Sequence, residues 1–101
     1  MRITILDAAE RDLEEGYSFY EKQSSNLGSY FLDSLYSDID SLTFFAGIHI
    51  KKFGYYRLLS KKFPFAIYYN IIGDEVLISA VLDCRRDPIV IKNRLASNML
   101  F

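Results

Sequence analysis

The hydrophobic pattern changes period half way along the chain, and few architectures accommodate such a change. Up to about Gly47 the apolar residues recur at helical spacing, whereas from Tyr55 to Asp83 they alternate or run together as strands do. Arg2 to Leu6, "RITIL", is short and β-branched and reads as a leading strand. Asp7 with Glu10 three residues later matches a capping box. Leu6, Leu13, Tyr17 and Tyr20 then form an apolar stripe among Glu10, Arg11, Glu14, Glu15, Glu21 and Lys22, which predicts an amphipathic helix ending near Gln23. "SSNLG" (Ser24 to Gly28) breaks it. Phe31, Leu35, Ile39 and Leu42 define a second helix with Asp33, Asp38 and Asp40 directed away and Gly47 as its stop. Two helices joined by so short a break make an antiparallel hairpin.

The second half supplies the surface that this hairpin needs. Tyr55 to Ser60, Phe63 to Ile71 and Val76 to Asp83 are predicted strands, rich in aromatic and β-branched residues. "IGDE" (Ile72 to Glu75) has Gly and Asp where a tight hairpin requires positive backbone dihedrals. "SKK" joins the first two strands, and Pro64 falls at a strand start, where a missing donor does least harm. Asp87-Pro88 marks the start of a short C-terminal helix. The expected fold is α+β, in the order β-α-α-β-β-β with that final helix. The helical hairpin packs on one face of a small, mainly antiparallel sheet, in one domain over residues 1–101. Both alternating sets of the last strand are largely apolar, so helices on one side alone would leave apolar area exposed, an area expected to meet a partner protein.

Charge and composition narrow the function classes. Residues 1–46 carry three cations against nine acids, a balance of −6, and residues 47–101 carry nine against four, a balance of +5. That asymmetry suits an approach to an anion, or simply acidic outer faces on amphipathic helices. Eight Tyr and eight Phe exceed what a small core needs, which places some of them on a contact surface. Cys84 is the single cysteine and His49 the single histidine, so the sequence offers neither a disulfide nor a metal-ligand set, and no cofactor is expected. No apolar run reaches the length of a membrane span and the N-terminus lacks a secretory pattern, so a cytoplasmic protein without membrane contact is expected.

Three segments together, "ILDAAERDLEEGYSFYEKQ", "YYRLLSKKFPFAIYYNI" and "VLISAVLDCRRDP", resemble the ParE/RelE superfamily, the toxins of type II toxin–antitoxin modules (plasmid stabilisation proteins). The likeness spans nearly the whole chain in the right order and favours the ParE-like branch. It implies a small cognate antitoxin that neutralises the toxin in a hetero-oligomer. It also implies one of two targets: DNA gyrase for the ParE-like branch, or the ribosome and its mRNA for the RelE-like endonucleases.

In the ribonuclease branch a 2′-hydroxyl attacks the neighbouring phosphate, which requires a base, cations for the developing charge and an acid for the leaving oxygen. The resemblance puts Arg57 and Arg86 in catalytic positions, with Arg85 as an alternative for the late arginine. Leu59 stands where a second cation is expected and Ala66 where that branch often has Arg, and no tyrosine follows Tyr69. ParE-like sequences often have His where Asp83 stands, and Asp83 can pair with Arg85 or Arg86 instead. Three readings therefore stand: a gyrase-binding toxin, a ribosome-dependent endonuclease, and an inactive relative that binds only its antitoxin. The functional cations are Arg57, Arg85, Arg86, Lys61 and Lys62. Against this, Lys61 and Lys62 also read as a solvated hairpin tip, and the arginine pair as a salt bridge to Glu14 or Asp38. Tyr68 and Tyr69 point to opposite faces, so one is core and the other is available to stack on a base or to meet the antitoxin. His49 reads as a structural or surface residue rather than a catalytic one, and Cys84 lacks the nearby partner that a reactive nucleophile needs.

Overall fold

A computed structural model describes residues 1–98; residues 99–101, the end of the expected domain, lie outside it. In chain order the elements are β1 (Arg2–Ile5), α1 (Asp7–Glu21), α2 (Leu27–Asp40), α3 (Leu42–Phe45), β2 (Lys51–Lys52), β3 (Tyr55–Leu59), β4 (Phe65–Ile72), β5 (Glu75–Asp83) and α4 (Pro88–Asn98). They form an α+β structure on a five-stranded sheet of order β1-β5-β4-β3-β2. The expected meander is present as β3-β4-β5, all antiparallel, and β1 joins it in parallel along β5. Ile72 pairs with Glu75 across a two-residue turn, in which Gly73 takes the positive φ of 60° while Asp74 does not. The two-residue strand β2 escapes a periodicity reading because it is too short to alternate.

The helical hairpin sits where expected, but its inner face differs. The buried stripe of α1 is Ala9, Asp12, Leu13, Gly16 and Tyr20, whereas Leu6 is exposed and Tyr17 half-buried. Two small residues draw the helices together. A Cβ on Gly16 would lie 2.5 Å from the Phe31 ring, and one on Gly28 would lie 2.7 Å from the Tyr17 carbonyl oxygen. The expected capping box does not form: Leu6 occupies the cap position without a side-chain bond, and Asp7 and Glu10 lie inside the first turn. There their charge complements the helix dipole. Instead, a carboxylate caps the second helix. Glu21, at the end of α1, accepts the N–H groups of Asn26 (3.1 Å) and Gly28 (2.9 Å) and so holds the start of α2 against the end of α1.

Phe31, Leu35, Ile39 and Leu42 are all buried, as their spacing requires. They meet Ile67, Tyr69, Val76 and Ile78 from the sheet. Tyr20, Phe31, Phe63 and Phe65 close one end, with Phe31 and Phe65 centroids 4.9 Å apart at 67°. Asp38, expected to face away, is instead buried. It accepts the Ser60 hydroxyl at 2.7 Å, tying the β3–β4 connection to α2.

The second face of the sheet is not left for a partner, contrary to the sequence expectation. Ile91 and Leu95 of α4, four residues apart, pack over Tyr55, Ala66, Tyr68, Ala80 and Leu82. Arg94 of the same helix reaches round the sheet to Asp12, donating at 2.8 and 2.7 Å to its two carboxylate oxygens. Asp12 also accepts the Val81 N–H at 3.0 Å, filling the edge of β5 where β1 has already ended. Asp12→Ala should therefore cost about 2–3 kcal/mol in chemical denaturation, below a fully buried pair because Arg94 keeps contact with water. Amide exchange should accelerate at Val81 and across residues 91–95 beyond the rest of the sheet.

Candidate functional site

β3 lies next to β2, at the end of the sheet opposite β1, and it carries the one cation that the strands place on a sheet face rather than at an edge or turn. Arg57 stands across from Tyr68 in register and is half-buried. Its guanidinium is close enough to the Tyr68 hydroxyl to act on its ionisation. Burial raises the Tyr68 pKa above its ordinary value, while Arg57 draws it back by charge and hydrogen bond. Burial also raises Cys84, which Arg57 and Lys52 oppose from nearby. This thiol is thus held away from its nucleophilic form. Arg57, Lys52 and Cys84 share one neighbourhood with Tyr68 on the α4 side of the sheet.

Arg86 belongs elsewhere. It borders a groove of about 310 Å³ between α1 and the end of β5, with Asp12, Glu15, Phe19 and Asp83. Arg57 instead lines grooves along β3, one of them with Leu59, Pro64 and Cys84. The two arginines assigned to catalysis by resemblance therefore do not meet in one groove.

Arg85 pairs with Asp83, its Nη2 lying 2.6 Å from Oδ2 and its Nε 2.9 Å from Oδ1. The hydrogen bond from Arg85 is the main cause holding the Asp83 carboxyl below its ordinary pKa. The pairing of Asp83 with Arg85 is as expected. The alternative bridge from the arginine pair to Glu14 or Asp38 is not formed: Arg85 pairs with Asp83, Arg86 is in neither ion pair among the described residues, and Asp38 accepts from Ser60. Lys61 and Lys62 are exposed, yet the tip that carries them rests on α2. The Lys61 N–H approaches Asp38 at 3.4 Å, and the Lys62 ammonium sits 5.3 Å from the Tyr30 ring centre.

Tyr68 and Tyr69 do point to opposite faces, but both are buried, so neither ring is open for stacking on a base. Tyr68 lies under α4, and Tyr69 lies in the helix-side core against Tyr56, centroids 5.2 Å apart. The Tyr69 hydroxyl accepts the Gly47 N–H at 2.9 Å and shares a hydrogen bond with His49 Nδ1 at 2.5 Å. Gly47, at φ 94°, turns the chain so that both groups reach the same oxygen. His49 is thereby tied to the core through Nδ1. It is a structural residue, as its isolation in the sequence suggests.

The sequence reading missed the Asp12–Arg94 bridge, the role of Asp38 and the His49–Tyr69 contact. A signal for the first two exists. Asp12 lies in one helical stripe with Ala9, Leu13, Gly16 and Tyr20, and Asp38 in another with Ser34, Leu35 and Leu42, so each acid falls on an inward face.

A helical hairpin thus covers one face of a mixed sheet and a terminal helix the other, with Arg57 on the third strand, and this arrangement is similar to that of a solved structure. A chain of the chromosomal ParDE TA system from P. aeruginosa superposes with a TM-score of 0.73 at 19% identity, over 80% of this chain and 92% of that one. No family model and no curated protein sequence matches the chain. No helix among the described residues is long and apolar enough to cross a membrane.

Burial holds His49 below the ordinary histidine pKa of 6.5. As the pH falls through 6.5 the unfolded chain takes up a proton that the folded chain resists, so His49 stabilises fully above that value and progressively less below it. Thermal melts at pH 7.5 and 5.5 should therefore differ more for the natural chain than for His49→Gln. This window lies above the carboxylates.

Proposed function

We propose that this chain is the toxin of a type II toxin–antitoxin module, acting in the cytoplasm, neutralised by a small antitoxin and working by binding a protein target, DNA gyrase, rather than by cutting RNA. The ParE-like fold supports the module. The arrangement of the arginines supports binding over cleavage. Phosphodiester cleavage requires a base, an acid and charge-stabilising cations within reach of one phosphate. Here Arg57 and Arg86 border different grooves, and Ala66 and Tyr68 are buried beneath α4. His49 spends Nδ1 on Tyr69.

Induction of the chain in a bacterium without antitoxin should give filamentation with DNA-damage signalling. Immediate translation arrest with cleaved messages would instead establish the endonuclease reading. Unimpaired growth would leave only antitoxin binding.

Arg86 is exposed and belongs to neither of the two ion pairs among the described residues. Arg86→Ala should thus restore growth under induction while changing stability by no more than about 0.5 kcal/mol, as expected for a surface position. A large fall in melting temperature would make the residue structural instead.

A further inference from the structure

At the edge of the sheet opposite β2, strand β1 leaves a defined set of backbone groups facing outward. It is terminal in the order β1-β5-β4-β3-β2. The Arg2 N–H donates to the Asp74 carbonyl at 3.1 Å and the Leu6 N–H to the Ile78 carbonyl at 3.0 Å. In a parallel ladder the N–H and C=O of one residue point to the same side, and that side alternates along the strand. Arg2, Thr4 and Leu6 therefore face β5, while the N–H and C=O groups of Ile3 and Ile5 face outward. The side chains of Ile3 and Ile5 join the helix-side core, and those of Arg2, Thr4 and Leu6 are exposed on the other face. Nothing blunts this edge. β2 is two residues long and both are lysines, whereas "RITI" has neither lysine nor proline and runs along β5 without a shift in register. Beside it, α3 lies against β1 and leaves Phe44 83% and Phe45 55% exposed.

This pattern is complementary to itself. When two copies of β1 are set antiparallel about a two-fold axis through Thr4, Ile3 of each lies opposite Ile5 of the other. Each such pair exchanges both of its hydrogen bonds, so every outward group of both strands is satisfied. An axis through Ile3 or Ile5 instead sets one of these residues against Met1 or Asp7, which lie outside the strand. The register on Thr4 also matches charges. Arg2 comes opposite Leu6 and next to Asp7 of the second copy, and symmetry makes that contact twice. Arg2 and Asp7 are both exposed and belong to neither ion pair among the described residues. Thr4 meets Thr4, a favourable cross-strand pair. At β2 the same operation sets lysine against lysine. We propose that the chain self-associates through β1 into a two-fold dimer whose sheet runs on from one copy into the other. Arg2 lays its stem over Leu6 of the second copy and reaches Asp7, and Phe44 and Phe45 border the contact. The contact is short, so the dimer dissociates on dilution. It stands on the strand geometry and is independent of the toxin reading.

Sedimentation of the full chain over a dilution series should show a monomer–dimer equilibrium. Amide exchange should slow at Ile3 and Ile5 as concentration rises, while Thr4, already paired with β5, changes little. Thr4→Lys puts like charges beside the axis at an exposed position and should weaken association about tenfold. Arg2→Glu and Asp7→Arg should each weaken it about fivefold, and the two together should restore it. Thermal melts separate loss of association from loss of folding. The exchange measurement needs no variant, so it reads the interface even where a variant folds poorly. A chain that stays monomeric at millimolar concentration would overturn the proposal and leave the edge to solvent or to a different protein. So would a dimer in which Ile3 and Ile5 exchange freely, or a double variant as weak as the single ones.

Discussion

The carboxylate of Asp12 joins three elements that would otherwise have separate reasons to be where they are. β1 ends at Ile5, so the edge of β5 beyond Ile78 has no strand to pair with. A buried N–H without an acceptor would be costly, and Asp12 supplies the acceptor for Val81. The charge it brings into the interface requires a cation in turn, and Arg94 provides one from the far side of the sheet. The ending of a four-residue strand therefore bears on the position of the terminal helix. With α4 held there, the sheet has helices on both faces, and Tyr68 becomes core.

The bulge between Tyr68 and Tyr69 acts on the same region. Tyr68 pairs with Ala80 while Tyr69 pairs with Ile78, so β5 carries one extra residue. Without it, Val76 and Ile78 could not share the helix-side face with Val81, because an even strand would put Val81 on the other side. The extra residue is what lets both alternating sets of β5 be apolar at different places along the strand. It also lets Val81 direct its N–H to Asp12.

Much of this was legible in the residues. The helical hairpin, the meander, the Gly73 turn and the terminal helix all follow from period and turn chemistry acting over a few positions. Arg57 could be placed on a sheet face by alternation alone. The helix α4 could be anticipated, but not where it docks, because the attraction lies in Arg94 meeting a residue 82 positions away. Asp12 and Asp38 looked like surface acids because acids usually are. Only the small residues Ala9 and Gly16 beside Asp12 shift the α1 stripe far enough to bring it inside. The sequence could likewise not show that Arg57 and Arg86 end in separate grooves, since that depends on which side of β5 the chain leaves after Asp83.

The parallel pairing of β1 with β5 bears on the order in which the chain can assemble. Glu21 closes the helical hairpin from within five to seven residues, so that unit can form as soon as it is synthesised. β1 is made first, yet it has no hydrogen-bonding neighbour until residues 75–78 appear. The Asp12–Arg94 link closes later still. Contacts between such distant segments form slowly because the loop between them must close first. Strand β1 thus stays unpaired while the elements between it and β5 are made, and the sheet gains it last.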